Sequence, residues 1–262
     1  MQWFDTVLLG AIQGITEFLP ISSSGHLWLT EQLILNRSAS LPLMVLLHLV
    51  SLLTVIWVFR KKLLLLIQSI VSCDNTPHAN DSFYNRRLAW QLLLATGITG
   101  VVGLTLKNFI QHSMDQSLLI TSLLITSAIV FGSTIGKLRL SIQNPWLMMA
   151  LLGLIQGLAV FPGISRSGLT IGFLLLLGMP QQRAVDIAFL LSIPAISGAF
   201  LICLPELFSM PFTPNFSLIT ASLVAAACTY IMIHSLRKNL KKIWLFCGIW
   251  CLLLAGGLVT LT

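Results

Sequence analysis

Charge is what this chain has least of. Only 9% of its 262 residues are Asp, Glu, Lys or Arg, where a soluble domain carries about 25%, so an ordinary water-soluble fold is excluded. Eight residues are acidic and fifteen are Lys or Arg. The basic residues cluster just beyond apolar runs: Arg60 to Lys62, Arg86 and Arg87, Lys137 and Arg139, and Arg237 to Lys242. That placement reports membrane topology, and nucleic acid is not an expected partner. Cysteine is also scarce. Cys203, Cys228, Cys247 and Cys251 lie in apolar runs and Cys73 in a polar loop, so they read as packing residues, with no metal-type pairing apart from the isolated Cys247 and Cys251 at i, i+4. The start, Met1-Gln-Trp-Phe-Asp5, lacks a basic n-region and a small-residue cleavage site, so no removable signal peptide is expected.

Apolar sequence is what the chain has in abundance: 56% of residues are hydrophobic and the mean hydropathy is +0.92. Runs of about 20 apolar residues, enough to cross a bilayer, recur from end to end. Six are expected to span it: 41–59, 87–106, 117–136, 184–204, 216–236 and 243–261. Regions 4–35 and 147–179 are apolar but interrupted, by Pro20 and Ser22 to Gly25 in one and by Pro162 to Gly168 in the other. Backbone that irregular is tolerated at membrane depth only inside protein or a wet cavity, so each region reads as a re-entrant helix-turn-helix hairpin.

The two interrupted regions align without a gap when residue 8 is set against residue 151. Gln13-Gly14 then faces Gln156-Gly157, and Ser22-x-Ser24-Gly25 faces Ser165-x-Ser167-Gly168. Three spans lie between the copies, an odd number, so the second copy enters from the opposite face. The expected fold is therefore an all-α integral membrane protein, one membrane domain over 1–262. Repeat one covers about 1–140, repeat two about 141–262, and each holds one hairpin and three spans in inverted topology. The basic clusters place the 60–87 loop in the cytoplasm and both termini outside, with Lys107 as the exception. The hairpin tips then meet near the midplane.

The copies differ most in their polar residues. Glu17 faces Val160, Ser23 faces Arg166, and His26 faces Leu169. An ionisable group inside a membrane is a functional candidate, which selects Glu17 and Arg166; a structural salt bridge between the tips is the alternative. Arg166 with Ser165, Ser167 and Thr170 reads as an anion cradle at a helix start, although either serine can simply cap the helix. His26, close to Ser23, is a candidate base or acid, and Glu17 can orient it or hold a cation. Gln13 shares a helix face with Glu17 at i, i+4 and reads as a second cation ligand or as a packing amide. His48 and Asp186 lie in expected spans with no assigned role. His78, His112 and His234 lie in loops or near span ends and read as solvent-exposed.

The stretches Gln13-Gly-Ile-Thr-Glu17-Phe-Leu-Pro20-Ile-Ser22-Ser-Ser-Gly25-His26 and Pro162-Gly-Ile-Ser165-Arg166-Ser167-Gly-Leu-Thr170 resemble the undecaprenyl-diphosphate phosphatases, the bacitracin-resistance family. The resemblance implies hydrolysis of undecaprenyl diphosphate to undecaprenyl phosphate and phosphate, recycling the carrier for peptidoglycan synthesis. It implies a bacterial inner membrane, an outward-facing site and a role in bacitracin resistance. The family's functional positions correspond to Gln13, Glu17, Ser23, His26 and Arg166, with Ser22, Ser24, Ser165, Ser167 and Thr170 expected to bind phosphate. The chain departs from the pattern at Gln13, where many members carry Glu, and at Ser24, where Thr is common. Gln13 weakens a two-carboxylate metal site, so a divalent cation, magnesium or calcium, is expected to bind loosely at Gln13 and Glu17. The expected partners are a polyprenyl diphosphate and membrane lipid, with a homodimer left open. Ser23 attack followed by water, and direct attack by water, both stay open. A secondary transporter or lipid flippase is the competing class.

Overall fold

A computed structural model describes residues 2–36, 38–71, 79–111, 115–135, 142–209 and 215–260. Cys73, His78, His112, Lys137 and Arg139 lie outside the described residues, and the side chain of Lys107 is not described. The described residues form helices and no strand. Five helices are long and apolar enough to cross a membrane: Leu41–Val71, Ser82–Leu106, Gln116–Thr134, Gln181–Ser209 and Phe216–Val259. This is the all-helical, multi-pass architecture that sparse charge and recurrent apolar runs dictate.

Four shorter pieces occupy the two interrupted regions. Helix α1 (Trp3–Thr16) and α2 (Ser23–Leu29), continued by a π-helical turn over Thr30–Leu35, fall in the first. Helix α6 (Pro145–Gly157), a 3₁₀ turn (Leu158–Val160) and α7 (Arg166–Leu176) fall in the second. Between and after them run α3 (Leu41–Val71), α4 (Ala79–Gln111), α5 (Gln116–Ile135), α8 (Gln181–Ser209) and α9 (Phe216–Val259). The interruptions have matching local chemistry. The Ser22 hydroxyl accepts from the Gly25 N–H at 3.3 Å and starts α2, and the Ser165 hydroxyl accepts from the Gly168 N–H at 3.1 Å and starts α7. Both are N-caps, filling donors that no helical carbonyl can reach.

The long helices overrun their expected ends. α3 continues through Arg60 to Lys62, and the segment 237–242, expected to be a loop between two spans, is helical inside the 44-residue α9 apart from Asn239 at φ −124, ψ 35. Lys and Arg are good helix formers, and neither Gly nor Pro punctuates that segment. Run straight, α9 would be about 66 Å long, about twice the hydrocarbon thickness. Its two halves instead pack on different neighbours across the break. Thr229 of the first half bonds Ser51 of α3, while in the second half Gly248 and Trp244 pair with Ser127 and Val130 of α5.

Residue register fixes the helix directions. Lys62 and Ser69 at the end of α3 meet Asn85 and Arg86 at the start of α4, so these two are antiparallel. Gly153 and Gly157 of α6 pass Ala95 and Val102 in order, so α6 is parallel to α4; Gly10 and Gly14 of α1 pass Ala221 and Ala225 of α9 in order. The first half of α9 follows α3, with Thr229 beside Ser51 and Arg237 over Phe59. α1 therefore runs with α3, and α6 runs against it. Both crossings are close: a Cβ on Gly10 would lie 2.5 Å from the Ala221 carbonyl oxygen, and one on Gly153 would lie 2.5 Å from that of Ala95. Small residues of this kind let helix backbones touch where apolar side chains gain nothing by leaving lipid.

Candidate active site

The break after α1 carries Glu17 to the start of α2 and α7. Its side chain is only 1% exposed, yet it touches four polar groups. Arg166 Nη2 donates to Oε1 in an ion pair. Ser23 Oγ donates to Oε2 at 2.7 Å and Gln13 Nε2 donates to the same oxygen at 2.9 Å. His48 Nε2 lies 3.7 Å from Oε2. A carboxylate can leave water only with this degree of compensation. Arg166, on the first turn of α7, keeps 22% side-chain exposure, so donors beyond the one on Glu17 can be reached by an anion.

Gln13, Glu17, Ser23 and Arg166, drawn from both interrupted regions, thus meet in one cluster. His26 sits one helical turn along α2 and makes different contacts. Its Nδ1 is 2.7 Å from the Ser22 carbonyl oxygen, which can only accept, so Nδ1 carries the proton. Nε2 then accepts from Trp250 Nε1–H at 2.7 Å, with the two rings stacked at an interplanar angle of 19°. The expected closeness of His26 to the Ser23 hydroxyl is therefore replaced by a Glu17–Ser23 bond, while His26 ties the tip to α9.

The serines of the second tip also have definite partners. Ser165 and Ser167 hydroxyls reach the Leu19 carbonyl at 3.3 and 2.8 Å, which clasps the two tips together, and Thr170 Oγ1 donates to the Arg166 carbonyl at 2.8 Å. Thr126 of α5 supports this turn by accepting from the Ser165 N–H at 3.0 Å and donating to the Gly163 carbonyl at 3.1 Å. Gly163 has φ +89, where a side chain would be strained and would meet Ser122 and Leu119. In the first tip Ser22 lies 3.3 Å from Ser24, which is exposed. The phosphate-binding set expected from sequence therefore divides into an accessible part, Arg166 and Ser24, and a part that fixes the tips.

Three participants are brought in by packing alone: His48, Trp250 and Thr126. His48 donates from Nδ1 to the Met44 carbonyl at 2.8 Å, which turns Nε2 toward Glu17. Its sequence signal was an ionisable group inside an apolar run. Trp250 and Thr126 carried no such signal. Asp186, also unassigned from sequence, pairs with Arg237 at 3.0 Å, away from this cluster.

The Gln13 Oε1 is buried and accepts no hydrogen bond. With Nε2 turned to Glu17, this oxygen joins the carboxylate as an oxygen ligand of the kind a hard divalent cation prefers only if the amide turns over. Among the described residues no group of three or more His, Cys, Asp and Glu gathers as a metal cluster.

Comparison with known proteins gives a consistent family. Residues 6–258 match the family described as bacitracin resistance protein BacA. A protein of Treponema denticola named undecaprenyl-diphosphatase is 34% identical over 247 residues, covering 92% of this chain and 90% of its own. Proteins of the same name from Methanobrevibacter smithii and Korarchaeum cryptofilum are 32% and 37% identical, covering 92% and 76% of this chain and 91% and 76% of their own. With the match running almost from end to end and through both interrupted regions, the chain belongs to the bacitracin resistance protein BacA family.

Proposed function

We propose that this chain hydrolyses undecaprenyl diphosphate to undecaprenyl phosphate and inorganic phosphate, the activity named for its relatives. In a cell it would return the lipid carrier to peptidoglycan synthesis, and the family name fits bacitracin resistance. The observation that carries the reading is the buried Glu17 carboxylate bonded at once to the Ser23 hydroxyl and the Arg166 guanidinium. A phosphoryl-transfer site needs a nucleophile, a proton acceptor on it, and positive charge at the transferred group. These three are in contact here.

In the proposed sequence Arg166 turns its free donors, with N–H groups at the start of α2 and α7, to the diphosphate. Ser23 Oγ attacks the terminal phosphorus while Glu17 Oε2 takes its proton. The bond from phosphorus to the bridging oxygen breaks, and undecaprenyl phosphate leaves with the electron pair. Water then attacks the phosphoserine, releases phosphate and restores the serine. His26 and Trp250 hold the α2 tip in place for both steps. Gln13 Oε1 and Glu17 would hold a magnesium or calcium ion, and such an ion would neutralise phosphate charge when bound.

The finer topology belongs to the same reading. The two halves of α9 count as separate spans, which makes six, and the interrupted regions are re-entrant hairpins in an inverted repeat. The opposite directions of α1 and α6, relative to α3, support the inversion. Lys and Arg near the α3–α4, α7–α8 and mid-α9 turns support a topology with those turns in the cytoplasm, the termini outside and the site opening outward in a bacterial inner membrane. Substrate contacts come from one chain, so a homodimer is compatible with the reaction and not required by it.

Purified protein in detergent should release phosphate from undecaprenyl diphosphate. Ser23→Ala should abolish release, and a phosphorylated Ser23 should be trapped on rapid acid quench of the wild type. A transporter or flippase would release none. Full activity in both Ser23→Ala and Arg166→Ala would remove the site assignment, whereas an active wild type without phosphoserine would favour direct attack by water.

A further inference from the structure

An open chamber with basic side chains in its lining lies away from Glu17. It has a volume of about 720 Å³ and is lined by the far half of α3, the start of α4, the start of α8 and Arg237 of α9. None of Gln13, Glu17, Ser23, His26 or Arg166 is among its lining residues. Along α3 the distance from His48 to Lys61 is about 20 Å. Between the two sites the rings of Phe18 and Phe59 each meet Phe189 edge-on, with centroids 5.1 and 6.0 Å apart, so an aromatic partition separates them.

The chamber's walls are charged and its floor is not. Lys61, Lys62, Arg183 and Arg237 line it with a single carboxylate, Asp186, which already pairs with Arg237 at 3.0 Å. Lys62 and Arg183 are held at one ring: the Lys62 Nζ lies 5.7 Å and the Arg183 Cζ 5.6 Å from the centre of Tyr84. Arg183 also donates to the Tyr84 hydroxyl at 2.9 Å, and Lys62 donates to Asn85 Oδ1 at 2.8 Å. Neutral partners thus hold Lys62 and Arg183 in position without cancelling their charge. The first turn of α8 joins the wall through Pro180, Gln182 and Arg183, and N–H groups there add to the positive potential. Below them Phe59, Leu88, Ile187 and Leu190 form an apolar surface.

We propose that this chamber is a second binding site, for the phosphate monoester head of an anionic lipid whose chain lies on the apolar floor. A phosphate monoester carries a charge of about −1.5 to −2 at neutral pH, which suits the excess of cations better than a singly charged phosphodiester does. Its terminal oxygens match the Arg183 fork and the two lysines. The hydrolytic reaction uses none of these groups, so this proposal stands whether or not the reading of Glu17 does.

The test is native mass spectrometry of the full chain, released from nanodiscs containing phosphatidic acid or phosphatidylcholine. The wild type should retain phosphatidic acid and not phosphatidylcholine. The double variant Lys61→Gln with Arg183→Gln should retain about tenfold less, with unchanged melting temperature and unchanged phosphate release. Arg166→Ala should still bind the lipid, which separates this chamber from the hydrolytic site. Competition by millimolar inorganic phosphate distinguishes the source: displacement of the lipid means that the free anion shares the site, and persistence assigns it to the lipid. Equal retention of the two lipids, or undiminished binding by the double variant, would overturn the proposal.

Discussion

Replacing Glu17 by Gln keeps the side chain's shape and removes its charge, which makes it the sharpest perturbation of the cluster. Two losses are expected, and they can be read separately. The first is catalytic. Ser23 loses the acceptor of its proton at 2.7 Å, and removal of a positioned general base lowers turnover by about 10²–10⁴-fold. The second is structural. Arg166 loses its carboxylate partner, and breaking a buried pair from one side costs about 3–5 kcal/mol. Because Arg166 is 22% exposed, water recovers part of that cost and the lower end, about 3 kcal/mol, is expected. The control is the double variant Glu17→Gln with Arg166→Gln. Removing both charges should restore part of the lost stability while leaving activity as low as in the single variant, because neither the base nor the phosphate clamp returns. Phosphate release gives the first quantity and denaturant unfolding in detergent the second. A Glu17→Gln enzyme with turnover within about threefold of wild type would refute the assignment of the base. A double variant no more stable than the single one would refute the account of the ion pair.

Three further outcomes follow from the geometry. Trp250→Phe removes the N–H bonded to His26 Nε2, and since His26 positions the tip, kcat should fall by about 10-fold or less, with the variant's pH profile departing from that of the wild type as Nε2 becomes free to bind a proton. Gly153→Leu forces a side chain toward a carbonyl oxygen 2.5 Å from the first added carbon; overpacking of this kind should destabilise by about 1–3 kcal/mol or more, seen as a lowered melting temperature. Asp115 starts α5 by accepting from the Leu118 N–H at 2.7 Å, and that bond together with the Ser117 hydroxyl holds its carboxyl below its ordinary value of 3.8. A depressed value means that the cap is present at neutral pH and is lost as pH falls below that ordinary value, so Leu118 amide exchange should lose protection on acidification only in the wild type and not in Asp115→Asn.

Much of the cluster was legible because the chain carries its own comparison. Aligning residue 22 with 165 and 25 with 168 pointed to two equivalent turns, and the structure has the Ser22–Gly25 and Ser165–Gly168 caps at those places. Glu17 and Arg166 stood out because each breaks the repeat with a charge inside apolar sequence, and desolvation leaves such charges few options other than one another. His48 was not legible to the same degree. It comes from α3, and only the packing of α3 beside α1 turns its Nε2 to Glu17. The division of labour among the serines was hidden for a related reason: a hydroxyl suits phosphate and a carbonyl equally, and the nearness of the Leu19 carbonyl to Ser165 and Ser167 is a tertiary fact. The break of α9 at Asn239 lies between the two spans expected there, while the Lys and Arg on either side of it stay helical.

The close crossings of α1 with α9 and of α6 with α4 mean that each half of the molecule embraces a helix of the other. During synthesis the first interrupted region therefore emerges long before its partner exists. Gly10 and Gly14 have nothing to lie against until residues near 221–225 have left the ribosome, so α1 is seated late, and a chain halted after the third long helix would hold Glu17 and Ser23 with neither Arg166 nor the helix that backs α1.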